Sequence, residues 1–176
     1  LPIFWTQMNH KPTVIIKPPV LTGEIRIEDG LPNADMKRSW GLFIANTIGS
    51  VTPRNVEFAS KVVASFLSPE LQDSTSKSIR QMSQIMKLRG VTQDFNIQDV
   101  GYDAASDLVW VWGYKTTKTK ASDDSDTASN TEDKRKWTFE MIVKFNESGY
   151  PKITYLDQYE GVPKFEHGNN VQDGVV

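Results

Sequence analysis

The hydrophobic pattern of this chain changes its period once, after Gly90, and this change constrains the fold more than any other feature. Before Gly90 the apolar residues recur at the spacing of α-helices, and after it they alternate as they do in β-strands. Because helices come first and a run of strands follows, the sequence predicts an α+β fold. We expect three helices packed on one side of a curved, mainly antiparallel sheet.

The three predicted helices cover residues 35–48, 53–67 and 69–89. Gly90 is expected to end the third, since glycine readily adopts the left-handed conformation that closes many helices. The side chains expected to face the core are Met36, Trp40, Phe43, Ile44 and Ile48 in the first helix, Val56, Ala59, Val63, Phe66 and Leu67 in the second, and Leu71, Met82, Ile85 and Met86 in the third.

The stretch GSVTPRNVEF, residues 49–58, specifies the start of the second helix. Thr52 is a favourable N-cap residue, and Pro53 suits the first helical position. Val51 and Val56 have the spacing of a hydrophobic staple. No nucleophile, base or metal ligand accompanies these four residues, so the role assigned to them is structural.

Short strands are predicted at residues 13–18 and 23–29, and longer strands follow Gly90. The longer ones include residues 91–100, 108–114, 137–145 and 150–161. In residues 137–145 alternate positions are apolar, and we expect these side chains to lie against the helices: Trp137, Phe139, Met141, Val143 and Phe145.

The strand LVWVWGY, residues 108–114, is apolar on both faces. Its Trp110 and Trp112 share one face, and a helical layer on a single side of the sheet would leave one face partly exposed. Tyr155 and Tyr159 are expected to extend that exposed surface. Since tyrosine is enriched at protein interfaces, these four residues are candidate contacts for a partner or a second copy.

Between the two strongest strands lies a polar segment, residues 115–136, which has no hydrophobic periodicity. We interpret it as a mobile loop. Its acidic part resembles a calcium-binding loop only at Asp124 and Asp126, because Ala128 and Ser129 occupy positions that need a ligand and a glycine. No calcium site is therefore predicted.

Composition excludes several classes of function. The chain of 176 residues has no cysteine, which excludes disulfides, thiolate catalysis and cysteine–zinc sites. Its formal net charge of −2 argues against bulk attraction to nucleic acid or anionic lipid. His10 and His167 lie in terminal segments and are interpreted as solvated residues. No apolar run is long enough to span a bilayer.

Three other functional readings remain open at this stage. Asp157, between Tyr155 and Tyr159, could act as a buried catalytic base in an isomerase-like or small-molecule-binding protein. Trp110, Trp112 and Tyr114, followed by lysines, could stack the bases of single-stranded DNA. The third helix carries a polar, mostly basic stripe that would suit an anionic protein partner: Lys77, Arg80, Gln84 and Lys87. We assign no catalytic, cofactor-binding or metal-binding residue and do not expect an enzyme.

The order of motifs resembles the TraE family of F-type conjugation systems. In that family an apolar helix leads to NVTP, a second helix, and an LSPE-like start of a third. Residues 39–72 follow this order, with Ser50 in place of the motif's asparagine and with Val51, Thr52, Pro53 and Asn55 matching. The later stretches YDAASDLVWVWGYKTT and ITYLDQYEGVP are also similar, so the resemblance covers roughly residues 13–163.

The resemblance implies a component of a type IV secretion system with one N-terminal transmembrane helix and a periplasmic domain of nuclear-transport-factor-2-like, cystatin-like fold. Such proteins have no known catalytic role or cofactor and brace the assembly of the channel and pilus. The implied organisation is a flexible leader at residues 1–12 after a removed anchor, a periplasmic domain at 13–163, and a flexible tail at 164–176. Other secretion proteins and weak self-association are the expected partners, with no specific nucleic acid.

Overall fold

The computed structural model describes residues 27–28, 31–32, 34–120 and 131–164. The helices are α1 (Ala34–Gly49), α2 (Val56–Phe66) and α3 (Pro69–Arg89). The strands are β1 (Ile27–Glu28), β2 (Leu31–Pro32), β3 (Val91–Asp103), β4 (Leu108–Thr119), β5 (Thr131–Phe145) and β6 (Pro151–Glu160). None of the helices within these ranges is long and apolar enough to cross a membrane.

Strands β3 to β6 form one antiparallel sheet in which sequence neighbours are also spatial neighbours, and β1 pairs with β2 separately. The pairing register shifts between Ile97 and Asp99 and again between Ile142 and Val143. Such irregularities bend a strand and increase its twist, so the sheet can curve around the helical layer. The predicted α+β fold is confirmed.

The core lies between α1 and the inner face of the sheet, the face that the helices cover. Most side chains predicted to face the core do so, and the fully buried ones include Met36, Trp40, Ile44, Phe139 and Met141. Within the core face of the sheet, Phe95 of β3 packs edge-on against Phe139 of β5, with ring centroids 5.0 Å apart.

Two predictions about the helices are wrong. Ile85 on α3 is 51% exposed, because the core-facing side of that helix is occupied by Met82, Ser83 and Met86 instead. Helix α2 begins at Val56, three residues later than Pro53, because residues 53–55 form a separate turn before it. Gly90 does close α3, in the left-handed conformation with φ 59°.

The turn that precedes α2 is held by a reciprocal pair of hydrogen bonds. The Thr52 backbone N–H donates to Asn55 Oδ1 over 2.7 Å, and the Asn55 N–H donates to Thr52 Oγ1 over 3.3 Å. This is the arrangement of a capping box, with asparagine where glutamate is usual. Val51 and Val56 are both buried in one small cluster, and the Val51 backbone also pairs with Gln93 of β3. The turn thereby sets where α2 leaves the sheet.

The polar segment predicted to be a loop contributes to both flanking strands. Thr119 pairs with Thr131 and Lys115 with Arg135, so β4 and β5 extend well beyond their apolar parts. Hydrophobic alternation could not reveal this extension, because residues 131–136 are exposed on both faces and backbone hydrogen bonds alone continue the ladder. Residues 121–130, with the calcium-like acidic part, lie outside the described residues.

Other predictions fall on parts of the chain that the structure does not describe. These are the leader at residues 1–12, the strand at 13–18, most of the strand at 23–29, His10, His167 and the tail beyond residue 164.

The turn between β3 and β4 is anchored through one carboxylate. Asp107, with φ 55°, accepts hydrogen bonds from Lys37 Nζ of α1 at 2.6 Å, from Lys144 Nζ of β5 at 2.6 Å and from the Tyr102 hydroxyl at 2.7 Å. Burial alone would raise the pKa of the Asp107 carboxyl, but these three donors outweigh it and lower the pKa to about 2. One side chain thus links a helix to two strands.

We expect Asp107→Asn to lower the free energy of unfolding at pH 7 by about 1 kcal/mol, because two partly exposed ion pairs are lost. Asparagine tolerates a positive φ, so the backbone of the turn is retained. Since the pKa of Asp107 is lowered in the folded state, its contribution should fade as the pH falls from 3.8 toward 2. Melting curves at pH 7 and pH 2.5 measure both effects.

Glu147→Gln provides the matched control for Asp107→Asn, because it removes the same charge from an exposed turn. An equal loss of stability in the two variants at pH 7, or an undiminished effect of Asp107→Asn at pH 2.5, would contradict the assignment.

Candidate functional site

The face of the sheet that points away from the helices, here called the outer face, brings most of the candidate contact residues together. In the ladder Trp110 lies opposite Glu140, and Glu140 lies opposite Asp157. In the neighbouring row Trp112 lies opposite Thr138, which in turn lies opposite Tyr159. Tyr155 pairs with Ile142 one step further along. These rows form one continuous surface across β4, β5 and β6.

Exposure differs strongly across the outer face. Trp110 is only 8% exposed, and its ring lies so close to Gly101 that a Cβ atom there would come within 2.1 Å of it. Trp112 is half-buried, whereas Tyr155 is 38% exposed. Of the aromatic candidates, Tyr155 therefore offers the most accessible surface. The Trp110 ring instead packs against the sheet at Gly101.

A buried carboxylate lies at the centre of the outer face. Glu140 is 6% exposed and accepts a hydrogen bond from the Tyr159 hydroxyl. The same hydroxyl accepts a hydrogen bond of 3.0 Å from the Lys164 backbone N–H, and the Lys164 ammonium lies 4.6 Å from the centre of the Tyr159 ring. Burial first, and then the hydrogen bond to Glu140, raise the pKa of Tyr159 to about 12. Tyr159 therefore stays a neutral donor at physiological pH.

Asp157 does not provide the buried base that the enzyme hypothesis requires. Its side chain belongs to an exposed residue of an edge strand, and its Oδ1 accepts a hydrogen bond from the backbone N–H of Gln158. Sequence reasoning missed Glu140, because it lies on the face of β5 opposite the apolar one, where a glutamate is normally exposed to water. Within the described ranges no group of three or more acidic or histidine residues could hold a metal ion.

The structure separates the residues of the proposed DNA-stacking platform. Trp112 and Tyr114 do contact one another edge to face at 6.0 Å, and the Lys134 ammonium lies 4.8 Å from the Tyr114 ring. However, Trp110 is buried, and Lys115 lies on the helical side of the sheet, where its ammonium sits over Trp137. Trp110 and Lys115 are therefore not part of an accessible stacking surface.

The basic stripe of α3 is exposed but partly neutralised. Lys87 forms an ion pair with Glu57 of α2, and its hydrogen bond is the main reason that the pKa of Glu57 is lowered. Arg80 and Lys87 line a groove of about 430 Å³ between α2 and α3, whereas Lys77 lies outside it. Gln84 lines the groove as well, so three of the four residues of the stripe face this groove and do not form one uniform basic surface.

Comparison with known proteins adds a family and a fold. A family model described as TraE protein matches residues 2–158. No curated protein shows a significant sequence match.

Among solved structures, the chain is similar to a TraE protein in complex with 2-(2-furyl)isonicotinic acid, with 13% identity, a TM-score of 0.55, and coverage of 73% of this chain and 98% of that one. It is also similar to the VirB8 protein of Agrobacterium tumefaciens, with 11% identity, a TM-score of 0.51, and coverage of 69% and 88%. An IcmL-like type IV secretion system protein of Legionella pneumophila matches with 11% identity, a TM-score of 0.54, and coverage of 77% and 98%. These likenesses establish a shared fold.

Removal of the Tyr159 hydroxyl should destabilise the folded protein. We expect Tyr159→Phe to lower the free energy of unfolding by about 1–3 kcal/mol, because it takes a hydrogen-bond donor from a buried carboxylate. Adding Glu140→Leu to this variant should recover part of the lost stability, since the buried carboxylate is then absent. Chemical denaturation of the single and double variants measures both. Tyr155→Phe, at an exposed position, is the control, and an equal loss there would contradict the role of the Tyr159 hydroxyl.

Proposed function

The chain belongs to the TraE protein family, and we propose that it serves as a structural component of a type IV secretion system for conjugative transfer. The family match over most of the chain carries this proposal, and the shared fold with solved secretion-system proteins supports it. The protein acts through contacts with other secretion components and not through catalysis. It works in the periplasm, joined to the inner membrane by an N-terminal anchor.

The architecture suits a role in assembly. The exposed carboxylate of Asp157 lacks the buried setting that a catalytic base needs, and the buried carboxylate of Glu140 is engaged by Tyr159. What the outer face offers is an accessible aromatic residue on a rigid sheet. Rigid sheets that present tyrosine and tryptophan side chains are typical of protein-binding surfaces.

Genetic complementation in donor cells tests the proposal. Deletion of the gene should abolish or strongly reduce transfer of the element that carries it, and the intact gene should restore transfer. Affinity purification of the tagged, complementing protein after cross-linking should recover other secretion components. Normal transfer from the deletion strain, or purification without any secretion component, would refute the proposal.

The contact with a second copy is proposed to lie around Tyr155 on the outer face. Tyr155 is accessible, and its ladder partner Ile142 adds apolar surface beside it. The edge of β6 is partly closed, because the Ser68 N–H donates to the Ile153 carbonyl at 2.8 Å, so face-to-face contact is favoured over strand addition. A contact centred on one accessible aromatic residue is weak in solution and becomes stable when anchoring in one membrane raises the local concentration.

We expect Tyr155→Glu to reduce self-association and conjugative transfer while leaving the melting temperature within about 2 °C of the parent, since exposed substitutions cost about 0.5 kcal/mol or less. Sedimentation over a concentration series and mating assays measure these effects. Phe58→Glu is the matched control, because Phe58 is an aromatic residue 72% exposed on α2, away from the outer face. If Tyr155→Glu assembles and transfers as well as Phe58→Glu, the interface lies elsewhere.

A further inference from the structure

The groove of about 430 Å³ between α2 and α3 lies on the helical layer, away from the outer face of the sheet. The two helices run side by side in opposite directions, because Glu57 in the first turn of α2 pairs with Lys87 in the last turn of α3. Beneath the groove Met86 packs with Val56 and Ala59 in one buried cluster, which joins its two walls. The groove is therefore a preformed channel between two packed helices.

The interior of the groove is mostly apolar. Ala64 of α2 and Ile79 of α3 contribute aliphatic groups to it. The hydroxyl of Ser60, which also lines the groove, donates to the Val56 carbonyl within α2. An apolar surface from another molecule can thus fill the groove without taking a partner away from that hydroxyl.

The rim of the groove carries an excess of positive charge. Lys61, Arg80 and Lys87 line it, against the single carboxylate of Glu57. This local excess of two positive charges contrasts with the net charge of −2 of the whole chain. It arises because α3 has no acidic residue after Asp73. Charge complementarity therefore favours an acidic partner at this surface.

The rim cations are available to such a partner. Among the residues that the structure describes, neither Lys61 nor Arg80 forms an ion pair. The pair between Lys87 and Glu57 is exposed, with 48% and 65% of the two side chains accessible. Exposed pairs contribute little to stability, so Lys87 can exchange Glu57 for a carboxylate of another molecule.

We infer that this groove binds a short amphipathic helix of a partner protein. The apolar face of that helix fills the groove, and its glutamate or aspartate side chains pair with Lys61, Arg80 and Lys87. The lining of α3 extends from Ser76 to Lys87, about 16 Å at 1.5 Å per residue, which matches about three helical turns. This inference deepens the proposed function, because it gives the chemistry of one partner at a surface separate from the outer face.

A helix suits the groove better than an extended segment does. The backbone groups within α2 and α3 are hydrogen-bonded inside each helix, so the groove has no strand edge with which an extended chain could pair. A helix satisfies its own backbone and needs only side-chain contacts from the groove. Amphipathic helices commonly bind proteins in this way, with anchors spaced by three and four residues.

Binding of a synthetic helix to the 176-residue protein, measured by fluorescence anisotropy at physiological salt, tests the inference. The probe is a capped, fluorescein-labelled peptide of about 14 residues, long enough for a marginal helix, with leucine on one face and glutamate on both flanks. Glutamine in place of the glutamates should weaken binding at least about fivefold, because the ion pairs are lost. Serine in place of the leucines should weaken it as much, because the groove is then left unfilled.

Arg80→Glu should weaken binding of the glutamate peptide at least about tenfold. Lys77→Glu is the matched control, because it reverses a charge on the same helix outside the groove. Its effect should stay below about threefold, since charges more than about 8 Å apart are largely screened at this salt concentration. The double variant Lys61→Glu, Arg80→Glu should instead prefer a peptide with lysine in place of glutamate. All three positions are exposed, so the melting temperatures should match that of the parent.

Equal binding of the glutamate and glutamine peptides, an equal loss in Arg80→Glu and Lys77→Glu, or no binding of the glutamate peptide at millimolar protein would overturn the inference. Sedimentation with phosphatidylglycerol vesicles without any binding of the peptide would also overturn it and would assign the surface to a lipid. These measurements use the purified protein. A negative result therefore leaves the complementation test of the proposed function standing, and a failed complementation leaves the binding result standing.

Discussion

The close approach of α1 to strand β4 is the contact on which the rest of the structure depends. Gly41 faces Val109 so closely that a Cβ atom at Gly41 would lie 2.4 Å from Val109 Cγ1. This proximity lets Trp40 and Ile44 reach the inner face of the sheet, where they are almost fully buried. Helix α1 thus covers the core on the side opposite the sheet, and α2 and α3 complete the helical layer beside it.

From this arrangement the two faces of the sheet acquire different chemistry. The inner face buries apolar side chains wherever α1 covers it, and toward α2 and α3 it leaves a cavity that Lys115 lines. The outer face combines Trp110 and Glu140, which are buried, with Tyr155, which is accessible. Successive residues of a strand point to opposite faces of the sheet, so β4 and β5 each contribute alternate side chains to the inner and the outer face.

Much of the fold could be predicted because it rests on local periodicity. The change from helical to alternating spacing after Gly90 predicted three helices and the antiparallel meander, and the structure confirms both. The errors arose where periodicity carries little information. Ile85 fits the apolar stripe of a helix but lies outside the buried face of α3. Residues 131–136 are exposed and continue a strand without any apolar signal. The start of α2 shifted because a capped turn precedes the helix.

The sequence by itself determined the class of the fold, the order of its elements and the family, since these depend on spacing and motifs along the chain. Only the tertiary structure decided which polar residues matter, because burial depends on what other elements place nearby. Glu140 and Lys115 look like ordinary charged residues in strands, yet one is enclosed on the outer face beside Tyr159 and the other lies over Trp137 under the helices. Conversely, Asp157 drew attention in the sequence and proved exposed, because β6 is an edge strand.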